Sequence, residues 1–195
     1  MSSLDHEPLS REQRKVLLTL ARASIRHGLE TGRPLPVRTQ DYPERLREIR
    51  ASFVTLNEEG RLRGCIGHLE AIQPLAVDVA ENAFAAAFRD PRFPPLREHE
   101  YPHLEVHISI LTPPEPLRFD SEEDLLRQIR PGRDGLILED GLNRGTFLPS
   151  VWSSLPRVQE FWTQLKHKAG LPGDYWSDTL KVFRYETEEF SDQDV

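Results

Sequence analysis

The sequence predicts an α+β fold, an antiparallel sheet flanked by helices, and not a doubly wound parallel sheet. Segments with apolar residues at helical spacing are interspersed with short strand-like runs. Two pairs of those runs flank turn sequences, Asn57-Glu58-Glu59-Gly60 and Asp140-Gly141-Leu142-Asn143-Arg144, and read as hairpins. Hairpins impose antiparallel pairing, which excludes a fold built only from parallel crossovers. At 195 residues the chain is one domain, or one domain with a small lobe, and long enough to bury a core.

In order along the chain, residues 1–9 read as a flexible lead. Ser10 and Gln13 have capping-box spacing, and Val16, Leu17, Leu20, Ala21, Ser24 and Ile25 follow on one helical face. A helix over 11–27 is expected, with Gly28 as its stop. Pro34, Pro36 and Pro43 mark a long connection, with one turn of helix near Glu44–Arg47. Ile49–Leu56 and the stretch after Gly60 form the first hairpin. Pro74 opens an alanine-rich helix, with Leu75, Val79, Ala80, Ala83, Phe84 and Ala87 inside and Asp78, Glu81, Asn82 and Arg89 outside. It ends near Asp90 because Pro91 disfavours helical geometry before it. Leu104–Leu111 alternates as a half-buried strand, and Ser121–Ile129 is a short helix capped by Ser121. Runs 135–139 and 145–148 make the second hairpin. Val158, Phe161, Trp162, Leu165 and Ala169 face inward from a helix stopped by Gly170. A strand over 179–186 precedes an acidic tail, and residues 191–195 read as a flexible end. Trp152, Trp162 and Trp176 read as core.

The net charge of −7 argues against a general nucleic-acid binder, which needs a basic face. A hydrophobic content of 37 % and a charged content of 29 % exclude a disordered chain. One cysteine allows no internal disulfide. The polar first seven residues do not read as a secretory signal, and no run approaches the roughly 20 apolar residues of a membrane span. The expected location is therefore cytoplasmic, with no membrane association.

The chemistry is concentrated in Arg61-Leu62-Arg63-Gly64-Cys65-Ile66-Gly67-His68-Leu69. Two glycines within four residues of a strand mark a bulge or a close backbone approach. A thiol among Arg61, Arg63 and His68 is placed where positive charge would favour the thiolate. Cys65 then reads either as a nucleophile, with His68, His99, His103 or His107 as base and loop amides as an oxyanion site, or as a packed structural cysteine. Strand alternation puts Cys65 and His68 on opposite faces unless a bulge at Gly67 restores the pairing. Asp90 and Arg92 flank Pro91 in a turn with a rigid exit, Phe93-Pro94-Pro95, and shape the site or cap local amides. His103, Glu105 and His107 would share one face of a strand, either as metal-capable ligands or as a wet edge; the expectation is no metal. His6, His27 and His167 have no evident partner.

These residues resemble the AMMECR family, named in prokaryotes AmmeMemoRadiSam system protein A. Leu62-Arg63-Gly64-Cys65-Ile66-Gly67 resembles its signature hexapeptide. The alanine-rich helix followed by Asp90-Pro91-Arg92-Phe93 is similar to its DPRF turn, and Glu105–Thr112 to its central strand. Asp134-Gly135-Leu136, Phe147-Leu148-Pro149 and Lys168-Ala169-Gly170-Leu171 match later motifs in order. The chain departs from the family at His107-Ile108-Ser109, at Ser150 and at Lys166.

The resemblance implies one domain over 10–190, with a larger lobe around an antiparallel sheet, a smaller lobe and a cleft between them. It implies no established activity and no cofactor. It suggests as partners a Memo-like protein and a radical SAM protein. Cys65 and His68 become the candidate catalytic residues, and Arg63, Gly64, Ile66, Gly67, Asp90, Arg92 and Phe93 the candidate substrate- or partner-binding set. Two function classes follow. One is an enzyme or enzyme accessory working through a cleft that contains Cys65. The other is a non-catalytic adaptor docking through the glycine hairpin. A nucleic-acid modification factor is a third, and the acidic balance does not help it.

Overall fold

A computed structural model describes residues 7–195; His6 and most of the expected lead lie outside the described residues. In chain order the elements are α1 (Arg11–Thr31), α2 (Glu44–Arg47), β1 (Ser52–Glu58), β2 (Arg61–Gly67), α3 (Leu75–Phe88), β3 (Leu104–Leu111), β4 (Glu115–Pro116), α4 (Glu122–Gln128), β5 (Gly135–Asp140), β6 (Asn143–Phe147), α5 (Val158–Lys168), β7 (Lys181–Tyr185) and β8 (Thr187–Ser191). They make two four-stranded sheets, ordered β2-β1-β3-β8 and β4-β7-β5-β6. The pairings of β1 with β2 and β3, and of β5 with β6 and β7, are antiparallel. The α+β expectation holds.

The chain divides into two compact units. The first comprises the chain up to Leu111 together with Glu188–Val195. Its helix α1 starts on the expected capping box: Ser10 Oγ accepts from Gln13 N at 3.2 Å, and Ser10 N donates back to Gln13 Oε1 at 2.9 Å. The helix does not stop at Gly28. That glycine lies within it because a Cβ there would come 2.4 Å from the Phe88 ring, so it lets α1 approach α3. The stop is Gly32, at φ 73°. Strand alternation sends Val54 and Leu56 of β1, and Val106, Ile108 and Ile110 of β3, into a core shared with Leu17, Ala21 and Ile25 of α1 and the alanines of α3. Each fully buried aliphatic side chain here contributes about 1.5–3 kcal/mol. The hairpin turn is tighter than the sequence suggests. Asn57 and Glu58 belong to β1, and only Glu59 (φ 50°) and Gly60 (φ 75°) lie in the left-handed region, a two-residue turn of the type that matches strand twist.

The run expected as one strand over 179–186 ends at Tyr185, and the acidic segment after it forms β8. Its charges do not keep it in solvent, because Glu188 pairs with Arg14 at 3.0 Å and Asp192 pairs with Arg22 of α1, while Phe190 is buried. At the other end Leu9 is buried and its amide donates to Glu188 Oε1 at 2.9 Å.

The second unit, Thr112–Thr187, has its own core of Leu125, Leu136, Leu138, Phe161, Leu165 and Val182. Trp152 stacks on Phe161 with centroids 3.8 Å apart, and Trp162 is fully buried, both core as expected. Lys166 is also buried, where its Nζ donates to Glu122 Oε1 (2.8 Å) and Tyr175 O (3.2 Å). A buried ammonium requires such partners.

Candidate functional site

β2 is an edge strand, and it lies directly on α3. A Cβ at Gly64 would sit 2.0 Å from the Ala86 carbonyl oxygen, and one at Gly67 2.3 Å from the Phe53 ring. Both glycines therefore mark close approach, as the spacing suggested. Ile66 stands opposite Val54 and packs against the first core.

Cys65 stands opposite Thr55, whose Oγ1 is 3.2 Å from its Sγ; the thiol is half-buried. Its amide points off the free side of the sheet and donates to Asp90 Oδ2 at 2.9 Å. Asp90 is itself held by Arg92, whose Nε and Nη2 reach the two carboxylate oxygens at 3.0 and 2.7 Å and whose amide donates to Oδ1 at 3.1 Å. The Arg92 hydrogen bond, with help from the Cys65 and Arg92 amides, holds the Asp90 carboxyl well below the ordinary carboxylate range. Arg63 is buried. It forks onto Glu100 at 2.7 and 3.2 Å and donates to Pro94 O at 2.9 Å. That pairing lowers the Glu100 pKa. The Arg63 and Arg92 guanidinium carbons lie 5.8 and 5.5 Å from the centroid of the Phe93 ring. The structure thus brings Arg63, Gly64, Cys65, Asp90, Arg92 and Phe93 together.

It does not bring His68 to Cys65. The register irregularity in β1–β2 falls between Leu56 and Asn57, not at Gly67, so alternation is not reset there. His68 instead places Nδ1 2.7 Å from Asp78 Oδ1 on α3. Asp78 is fully buried and also accepts from Ser52 N, Ser52 Oγ, Asn82 Nδ2 and Gln73 Nε2 at 2.6–3.0 Å. Helical spacing predicts Asp78 and Asn82 on the outer face of α3; both are instead buried, tying the start of β1 to the helix. Their i,i+4 spacing in an alanine-rich helix was the available signal.

The expected electropositive surroundings of the thiol are also changed. Arg63 is paired with Glu100 and Arg92 with Asp90, and Arg61 stands exposed at the start of β2, so the charge of the two inner arginines is balanced. Glu100 and Thr55 were not foreseen as members of the site. Among the other histidines, His103 ends a 3₁₀ turn, Tyr101–His103, before β3 begins, and so does not share the strand face. Glu105 and His107 do share it, with Oε1 and Nε2 2.8 Å apart. Among the described residues, no three His, Cys, Asp or Glu side chains are grouped to hold a metal ion. A pocket of about 450 Å³ in the second unit, lined in part by Arg118, Phe119, Asp120, Lys181 and Phe183, contains none of the expected site residues.

Comparison with known proteins agrees with the motifs. The AMMECR1 family profile matches residues 18–190. A protein of Methanothermobacter thermautotrophicus is 39% identical over 193 residues, covering 96% of this chain and 98% of the relative. One of Thermococcus gammatolerans is 42% identical over 188 residues, covering 91% of this chain and 89% of the relative. The crystal structure of an uncharacterized protein from Pyrococcus horikoshii superposes with a TM-score of 0.83 at 38% identity, covering 94% of this chain and 93% of that one.

Proposed function

The chain belongs to the AMMECR1 family, and on that premise we propose that it is an accessory subunit that docks partner proteins through the Cys65 hairpin and the Asp90–Phe93 turn. The partners in this reading are a Memo-like protein and a radical SAM protein, and the compartment is the cytoplasm. A chain with a single cysteine suits a reducing environment, and no helix among the described residues is long and apolar enough to cross a membrane.

One observation carries the accessory reading over the enzymatic one: the groups that would activate Cys65 are already committed. Its amide is bonded to Asp90, which removes it from an oxyanion site. His68 is bonded to Asp78, and Arg63 and Arg92 are paired with carboxylates. What the surface offers outward is a rigid turn carrying a half-exposed guanidinium at Arg92 beside the Phe93 ring, with Leu62 exposed on the adjoining strand. Aromatic and arginine side chains held in place are the usual anchors of protein interfaces.

The test is calorimetric titration of each partner with wild type, Phe93→Ala and Cys65→Ser. Docking predicts at least about tenfold weaker binding for Phe93→Ala and binding within about twofold of wild type for Cys65→Ser. If Cys65→Ser binds normally but abolishes the activity of the assembled system, the enzymatic reading replaces this one.

A further inference from the structure

A strand at the margin of a sheet carries unpaired amides and carbonyls, a template on which another chain can pair. β2 occupies that margin in the first unit, and it has the features of a self-pairing edge. It is seven residues long, has glycines at 64 and 67 and includes the exposed Leu62. The chain after α3 returns along this edge and is fastened to it at three points. Asp90 takes the outward amide of Cys65 (2.9 Å), Pro94 O accepts from Arg63 Nη2 (2.9 Å), and Glu100 receives the Arg63 fork. The far side of the segment is anchored to α3 through Leu96 N and Ala87 O at 2.9 Å, with Leu96 buried in the core.

We propose that residues 90–100 are a strap that closes the edge of β2 against strand addition by a second copy of this chain. The Asp90 carboxylate oxygen occupies the position that the carbonyl of an incoming strand would take. In a strand the N–H and C=O of one residue point to the same side. An antiparallel pair of β2 strands centred on Cys65 would therefore exchange both bonds between the two Cys65 residues. Their Cα atoms would then lie about 5.5 Å apart, within the span of a disulfide. The occupant follows from the edge itself, because a second β2 supplies the matching register. The inference needs only this chain, so it stands or falls separately from partner docking.

The single thiol reports the event. Wild type and Asp90→Ala are compared by sedimentation and by diamide oxidation, which takes two electrons from a pair of thiols to form the disulfide. Wild type is expected to give only trace Cys65–Cys65 product through this edge. Asp90→Ala is expected to give at least about tenfold more, together with a concentration-dependent dimer that is lost on dilution. A folded Asp90→Ala protein that gains neither overturns the proposal, and so does a wild type that crosslinks readily. If Asp90→Ala does not fold, hydrogen exchange of the wild type decides. The strap predicts a Cys65 amide protected as strongly as the β1 amides that face β2. Exchange at the rate of an open edge amide overturns it.

Discussion

The molecule contains two hairpins built to one plan and finished differently. β1–β2 and β5–β6 each turn on two residues and each end a sheet. Each outer strand also carries a glycine against a neighbouring backbone. At Gly64 a Cβ would meet Ala86 O at 2.0 Å, and at Gly145 it would meet Ala169 N at 2.9 Å. The turns differ: Glu59 and Gly60 both have positive φ, whereas Gly141 alone does in the second, where Leu142 is fully exposed. The edges differ more. The first is fastened by the buried Asp90 and Arg63, whereas on the second Arg144 pairs with Glu139 across the hairpin at 3.1 Å and Tyr185 of β7, itself buried, donates to Phe147 O at 3.0 Å. The comparison teaches that a glycine settles how near a strand lies to its helix, while the side chains beside the edge settle what else can reach that strand.

The sharpest way to break the comparison is to add a methyl to each glycine. Gly64→Ala is expected to cost about 3 kcal/mol, because the obstacle is a backbone carbonyl that cannot turn away, and Gly145→Ala about 1 kcal/mol. Urea titration of both variants checks this, and equal losses would show that the two contacts are equivalent. A contrast of similar size lies in pH. Asp90 has a folded pKa below its unfolded one, so its contribution is fully present above about pH 4 and drains away as pH falls further. Tyr185 behaves oppositely. Burial pushes its phenol up to about 12. Stability is retained below the unfolded value of about 10 and lost as pH rises through the folded one, by about 3 kcal/mol in all. Melting curves at both extremes should therefore show the acid limb flattened in Asp90→Asn and the alkaline limb flattened in Tyr185→Phe. The smallest effects sharpen the picture at the surface. Cys65→Ser should cost less than about 1 kcal/mol, since a hydroxyl can still accept from Thr55 Oγ1. Leu142→Asn should change stability by less than about 0.5 kcal/mol at a fully exposed turn.

Periodicity made much of the fold legible. The Ser10 cap, the alanine-rich α3, the alternation of β3 and both hairpins follow from local pattern. β8 did not, because Glu188, Glu189 and Asp192 read as a solvated tail until Arg14 and Arg22, far away in sequence, are seen to meet two of those charges. Gly28 likewise reads as a terminator when its role is to admit Phe84 and Phe88. The site was legible as a set of residues and only partly as an arrangement. The Cys65 hairpin and the DPRF turn were expected to be neighbours, but a side-chain carboxylate capping an edge amide 25 residues earlier leaves no periodic trace. The pairing of both arginines, and the burial of Asp78 beneath His68, are tertiary facts of the same kind.

The first unit is discontinuous in sequence: β8, its fourth strand, is completed only once all of Thr112–Thr187 has been passed. During synthesis the inserted segment is the one whose contacts are complete as soon as it emerges. The sheet that carries Cys65 must wait with β3 unpaired on one side until Glu188–Val195 has been made. Loop closure over that interval slows the final pairing more than it weakens it. A released chain truncated after Thr187 should therefore carry a finished second unit and an unfinished first one.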